Sequence, residues 1–140
     1  MSPKLEQKLL EKYPKIFNVE NVDSRLPFPM FGIECDDGWY DLLDTLCGAI
    51  QWHLDHNAGV GAVQVVVHQI KEKFGTLRFY EEGGDAVTGA YVNLAEQMSG
   101  RICEVCGNRG VLRGGGWIRA LCDTHAEGRE ELRSELSRLP

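Results

Sequence analysis

Four residues carry the clearest chemistry in this sequence: Cys103 and Cys106 in CEVCG, then Cys122 and His125 in CDTH. Fifteen residues separate the two pairs, giving the pattern C-x2-C-x15-C-x2-H. Thiolate sulfur and imidazole nitrogen are the ligands that zinc takes in a tetrahedron, and pairs spaced by two residues let two chain turns present four ligands to one ion. Four protein ligands close that sphere, whereas catalytic zinc keeps a position for water, so the pattern predicts a structural ion. The competing reading, three small apolar cysteines and a surface histidine, leaves the spacing unexplained.

The residues around these ligands predict how they are held. Gly110 to Arg113 and Trp117 to Leu121 can pair as strands about the turn Gly114, Gly115, Gly116. A helical stretch is expected after Leu121, with Leu132, Leu136 and Leu139 on one side and Cys122 and His125 in its first turn. There a thiolate gains from the positive end of the helix dipole. A module over 101–140 has too little apolar area to fold unaided, so metal binding and folding should be coupled. Knuckle, hairpin and ligand-bearing helix in this order resemble the treble-clef zinc finger. Treble-clef nucleases of the His-Asn-His type need a further histidine on the hairpin, and none lies between Cys106 and Cys122.

Other residues compete for a role. Arg109, Arg113 and Arg119 with Trp117 can form an anion or nucleic-acid contact, because guanidinium forks pair with phosphate and indole offers a stacking face. A solvated face with Trp117 packed on the body or zinc core is the favoured reading, since acidic residues nearly cancel the arginines. His53 and His56 in WHLDH are three apart on a predicted helix and can ligate a second metal, with Cys35 or Cys47 as companions; exposed polar residues at a helix end are the favoured reading. Asp36, Asp37, Asp41 and Asp44 form an acidic cluster that can face a basic partner, hold a cation or act in acid/base catalysis. Helix capping accounts for most of them without chemistry.

The frame for these sites is one body plus a small appendage. The 140 residues, 43% apolar and 26% charged, fit a folded chain of ordinary composition. The net charge of −6 divides into −7 over 1–100 and +1 over 101–140, so the acidic body repels a phosphate backbone and nucleic acid is expected only at the arginines of the tail. Neither a signal peptide nor a membrane-spanning run is visible, and three of five cysteines fall in the metal pattern, which predicts a reducing, cytoplasmic setting.

Along the body, Ser2-Pro3 opens a short helix that Pro14 ends. An irregular segment pinned by Phe17, Phe28 and Phe31, with Pro27 and Pro29, runs to Phe31. Trp39, Leu42, Leu43, Leu46, Cys47, Ile50 and Leu54 then mark a helix capped by Asp36 or Asp37 and stopped by Asn57 to Gly61. Alternation at Val63 to His68 and Thr76 to Tyr80 predicts a hairpin connected by IKEKFG, and Val87 to Met98 predicts a helix beyond Gly83 and Gly84. The expected fold is α+β: an acidic helix-hairpin-helix body over 1–100 and a treble-clef-like zinc module over 101–140.

FGIECDDGWYDLLDTLC at 31–47, KEKFGTLRFY at 71–80 and SGRICEVCGNRG at 99–110 resemble a family of small uncharacterised phage and prophage proteins. The resemblance implies an accessory protein in a bacterial host's cytoplasm, binding or inhibiting a host protein, such as an antiviral-defence component, or a small nucleotide signal. It implies no active site. Nucleic-acid binding through the tail is the alternative. A small hydrolase using Asp36, Asp37 and Asp41, or a histidine of the His53 and His56 pair, is the third reading.

Overall fold

The structure, a computed structural model, describes residues 1–19 and 32–132. Helix α1, Pro3–Lys12, starts on proline and buries Leu9 and Leu10. The Ser2 hydroxyl makes no capping bond; its backbone N–H reaches Asp37 Oδ1 at 2.7 Å. Strand β1, Ile33–Glu34, leads into a single 3-10 turn, Asp37–Trp39, and then helix α2, Tyr40–His56. The 3.6-residue spacing seen in the sequence becomes the buried face Leu43, Leu46, Cys47 and Ile50, with Trp39 wholly buried just before it.

Strands β2, Val63–Lys73, and β3, Thr76–Gly84, form the expected antiparallel hairpin, but with a shorter connection than IKEKFG. The pairs Lys71↔Arg78, Glu72↔Leu77 and Lys73↔Thr76 carry the ladder almost to the tip. Only Phe74 and Gly75 turn the chain, at φ 54° and 82°, as a two-residue turn twisting with its strands requires. Gly83 and Gly84, expected as a break, stay within β3; a Cβ on Gly83 would lie 2.2 Å from the Gln64 carbonyl oxygen. Helix α3, Ala86–Ser99, begins at Asp85, whose Oδ1 accepts the N–H groups of Val87 and Thr88 at 2.9 and 3.0 Å.

β1 runs parallel to β2, so the larger sheet has the order β1-β2-β3. Val65, Val67, Ile70, Leu77 and Phe79 meet Trp39, Leu43 and Ile50 in the core. Helix α3 closes the free edge of β3: the Leu77 N–H donates to Ser99 Oγ at 2.8 Å and the Phe79 N–H to Glu96 Oε1 at 3.0 Å. A separate antiparallel pair, β4 (Val111–Arg113) and β5 (Arg119–Leu121), follows. The chain is thus a mixed helix and sheet protein of the α+β type. No described helix is long and apolar enough to cross a membrane.

The helix expected after Leu121 is not what the described residues form. A 3-10 turn, Asp123–His125, is followed by Glu127 and Gly128 at φ 55° and 74°, which no α-helix accommodates. The chain then runs beside β4, with the Leu132 N–H donating to Leu112 O at 2.8 Å and the Gly114 N–H to Glu130 O at 2.9 Å. Leu136 and Leu139, like Pro27, Phe28, Pro29 and Phe31, lie outside the described residues. Phe17 is described, and it is wholly buried.

Candidate metal centre

Tight backbone turns build each half of the centre. At the first pair, the Gly107 N–H donates to Cys103 O at 2.8 Å and the Cys103 N–H to Asn108 O at 2.7 Å, with Gly107 at φ 79°. This knuckle is tied to β5 through the Glu104 N–H, which donates to Ala120 O at 2.9 Å. The second pair sits where β5 ends, and the 3-10 turn brings His125 back over Cys122. The ladder Val111↔Leu121 fixes the hairpin between the two halves.

The four side chains that the spacing selected converge: their ligand atoms all lie within 4.8 Å of one another. Cys106 and Cys122 Sγ are 3.7 Å apart, and His125 Nδ1 lies 3.7 Å from Cys103 Sγ and 3.2 Å from Cys122 Sγ. A tetrahedron with zinc–sulfur and zinc–nitrogen bonds of about 2.3 and 2.0–2.1 Å has edges of about 3.8 and 3.6 Å, so the donor set fits such an ion. None of the five cysteines is in a disulfide. Cys103 is buried, Cys122 and His125 are half-buried, and Cys106 is exposed.

Electrostatics favour the thiolate at Cys122 and oppose it at Cys106, where a backbone bond from Asn108 is outweighed by burial and the neighbouring Cys103 and Cys122 thiols. Burial opposes ionisation of Cys122, but the backbone N–H and imidazole of His125 and the neighbouring thiols hold its pKa at about 6. The two cysteines outside the cluster are raised as well, mainly by burial. Burial pushes Cys35 up to about 12, the nearby amino terminus opposing and Glu104 and Asp36 adding to the rise, and burial also raises Cys47. Both belong to the core.

The other candidate residues are dispersed. His53 is buried, its Nε2 is 2.7 Å from Asp85 Oδ2, and its ring meets Tyr91 edge-on. His56 stacks on Trp52 with its Nδ1 2.9 Å from the Trp52 carbonyl. The two histidines thus serve different neighbours, and the Cys103 group is the single metal-competent cluster among the described residues. In the acidic cluster, Asp36 pairs with Arg119 at 2.7 Å, Asp37 accepts the Ser2 N–H, Asp44 pairs with Lys12 at 2.9 Å, and Asp41 is exposed.

Among the arginines, Arg113 is buried, donating to Leu121 O at 3.0 Å and pairing with Asp123 at 2.6 Å. Arg119 lies between Asp36 and Glu104. Arg109 is exposed, and Trp117 is 63% exposed with its indole N–H on Glu72 Oε2 at 3.0 Å. Two of the three arginines therefore lock the module and its junction.

Sequence reasoning missed the residues that seat the module. The Trp39 indole N–H donates to Ile102 O at 3.0 Å, and Glu104, though buried, accepts the Asp36 N–H through Oε1 at 3.1 Å. A glutamate between the two cysteines of a knuckle, where its backbone is already fixed, was the signal available. No family model, curated protein or solved structure matches this chain.

Proposed function

We propose that this chain is a zinc-stabilised binding protein in which Cys103, Cys106, Cys122 and His125 hold one zinc ion that fixes a surface and performs no reaction. The convergence of four soft or borderline ligand atoms within 4.8 Å carries this reading, because four protein ligands leave no position for water. The order of knuckle, hairpin and second ligand pair supports a treble-clef-like module, with a 3-10 turn standing where that finger's helix begins. Residues suited to hydrolysis support it from the other side: His53, Asp36 and Asp44 are engaged in contacts that hold the fold. A host protein or a nucleotide signal, the partners implied by the resemblance to phage proteins, would be contacts of this non-catalytic kind.

Replacement of the zinc by cobalt tests the claim of a closed site. A four-coordinate thiolate-rich spectrum that cyanide or azide leaves unchanged is the expected result. Spectral change on adding either anion would reveal an open position and favour a catalytic centre.

A further inference from the structure

The bond register places a cationic row on the outer face of the hairpin. Lys71 stands directly opposite Arg78, Lys73 opposite Thr76, and Gln69 opposite Tyr80, all on the side away from the buried Ile70, Leu77 and Phe79. Like charges directly opposite one another repel, so the Lys71 and Arg78 pair costs the sheet stability. Neither these two nor Lys73 lies within salt-bridge distance of a carboxylate among the described residues. Instead the Lys71 and Lys73 ammonium groups sit 5.7 Å from the ring centres of Tyr80 and Phe74, and Arg78 donates to Thr76 Oγ1 at 2.6 Å.

Exposed rings accompany the row. Phe74 is 65% exposed, Trp117 63% and Tyr80 43%, and Lys71, Lys73, Phe74 and Trp117 share one groove between the hairpin tip and the β4–β5 turn. Phe74 also occupies a position that disfavours it: φ of 54° in a two-residue turn suits Asn or Gly, and a bulky side chain there carries strain. Strain kept at an exposed aromatic points to a use outside the fold. Of the acids beside the row, Glu72 accepts from the Gly75 N–H and the Trp117 indole and Glu82 pairs with His68, while Glu34, exposed on β1, is the register partner of Lys71 but lies beyond salt-bridge distance of it.

We infer that this face binds single-stranded nucleic acid, with Lys71, Lys73 and Arg78 on phosphates and Phe74, Tyr80 and Trp117 as stacking surfaces for bases. The inference rests on the binding-protein reading above and moves the contact from the arginines of the tail to the hairpin. Cations without counter-ions complement phosphate, and exposed rings accept any base, which is how strands are held without sequence selection. The row from Lys73 to Gln69 spans about 13 Å, enough for a short run of nucleotides. An acidic peptide matches the cations but leaves the three rings and the strained Phe74 without a role.

The test uses the zinc-loaded full chain and labelled oligonucleotides of about 12 nucleotides, DNA and RNA, read by anisotropy between about 50 and 200 mM salt. Binding of either should weaken with a log–log salt slope of about 2, as three phosphate contacts on a single strand give. Lys71→Gln with Arg78→Gln should weaken it about tenfold or more at low salt. Phe74→Asn should raise the melting temperature yet weaken binding about fivefold or more, a pairing that a purely structural role would not produce. Absence of binding at low salt, or binding indifferent to these variants, overturns the inference. Poly-L-glutamate binding through the same residues, with no oligonucleotide bound, also overturns it, while leaving the binding-protein reading intact; the cobalt experiment decides that reading separately.

Discussion

The backbone N–H of Gly38 donates to the carbonyl of Glu104 at 2.7 Å, and the contact is so close that a Cβ on Gly38 would lie 2.2 Å from Cys103 O and 2.4 Å from Glu104 O. Body and metal module therefore meet backbone to backbone, at the residues that carry the first ligand. The knuckle that carries Cys103 and Cys106 is seated on the turn that opens α2, so order in one supports order in the other.

Gly38→Ala should force this junction apart. Two main chains cannot yield as a flexible side chain can, and the expected loss is about 2 kcal/mol or more. Chemical denaturation of zinc-loaded protein, with zinc affinity measured alongside, should show both stability and affinity reduced. An unchanged midpoint and affinity would mean that the contact is dispensable.

Arg119 closes the same junction by charge. Its guanidinium lies 2.7 Å from Asp36 Oδ2 and 3.6 Å from Glu104 Oε2, an oxygen that has no hydrogen-bond partner. Arg119→Ala leaves a buried carboxylate facing another acid and should cost about 1–3 kcal/mol. Arg109→Ala, at an exposed position, should change stability by less than about 0.5 kcal/mol. Equal effects in denaturation experiments would contradict this division between the arginines.

These contacts mark the limit of what the sequence reveals. The Cys103, Cys106, Cys122 and His125 cluster was legible because metal-ligand chemistry dictates residue type and spacing, and α2 was legible because its apolar positions recur at 3.6 residues. The hairpin was legible except at its tip, where KEK reads as a polar connection although each residue pairs across the ladder. Phe74 in the turn hid the short connection, since Asn or Gly is the usual signal. The roles of Asp36, Gly38, Glu104 and Arg119 depend on neighbours separated by some 65 to 85 positions, and no local pattern encodes such pairing.

Asp44 gives a pH dependence of defined sign. Burial works against its ionisation, but bonds from Tyr13, at 2.5 Å, and Lys12 outweigh it and lower its pKa below the usual carboxylate value. A group lowered in the folded state adds stability above its unfolded pKa of about 3.9, and loses it as pH falls through the folded value. Thermal unfolding of Asp44→Asn beside the unaltered protein should therefore show a constant deficit above about pH 5 that closes as the medium becomes more acidic. A deficit that widens on acidification would reverse the sign.

Thiol reactivity separates the five cysteines. Cys35 and Cys47 are buried with raised pKa values, so they should resist alkylation in the folded protein whether or not metal is present. Cys103, Cys106 and Cys122 should be protected by zinc and become reactive on chelation. Mass mapping of the labelled peptides checks both expectations, and rapid labelling of Cys47 in the metal-loaded form would contradict the core placement.

One metal ion on Cys103, Cys106, Cys122 and His125 is a stoichiometry that native mass spectrometry of protein purified under reducing conditions reads out. The expected result is one zinc per chain, lost in Cys103→Ser and in Cys122→Ser, with loss of amide protection over 101–132 when the metal is removed. A chain that carries no zinc under these conditions, or that keeps one equivalent after both ligand substitutions, would contradict the account.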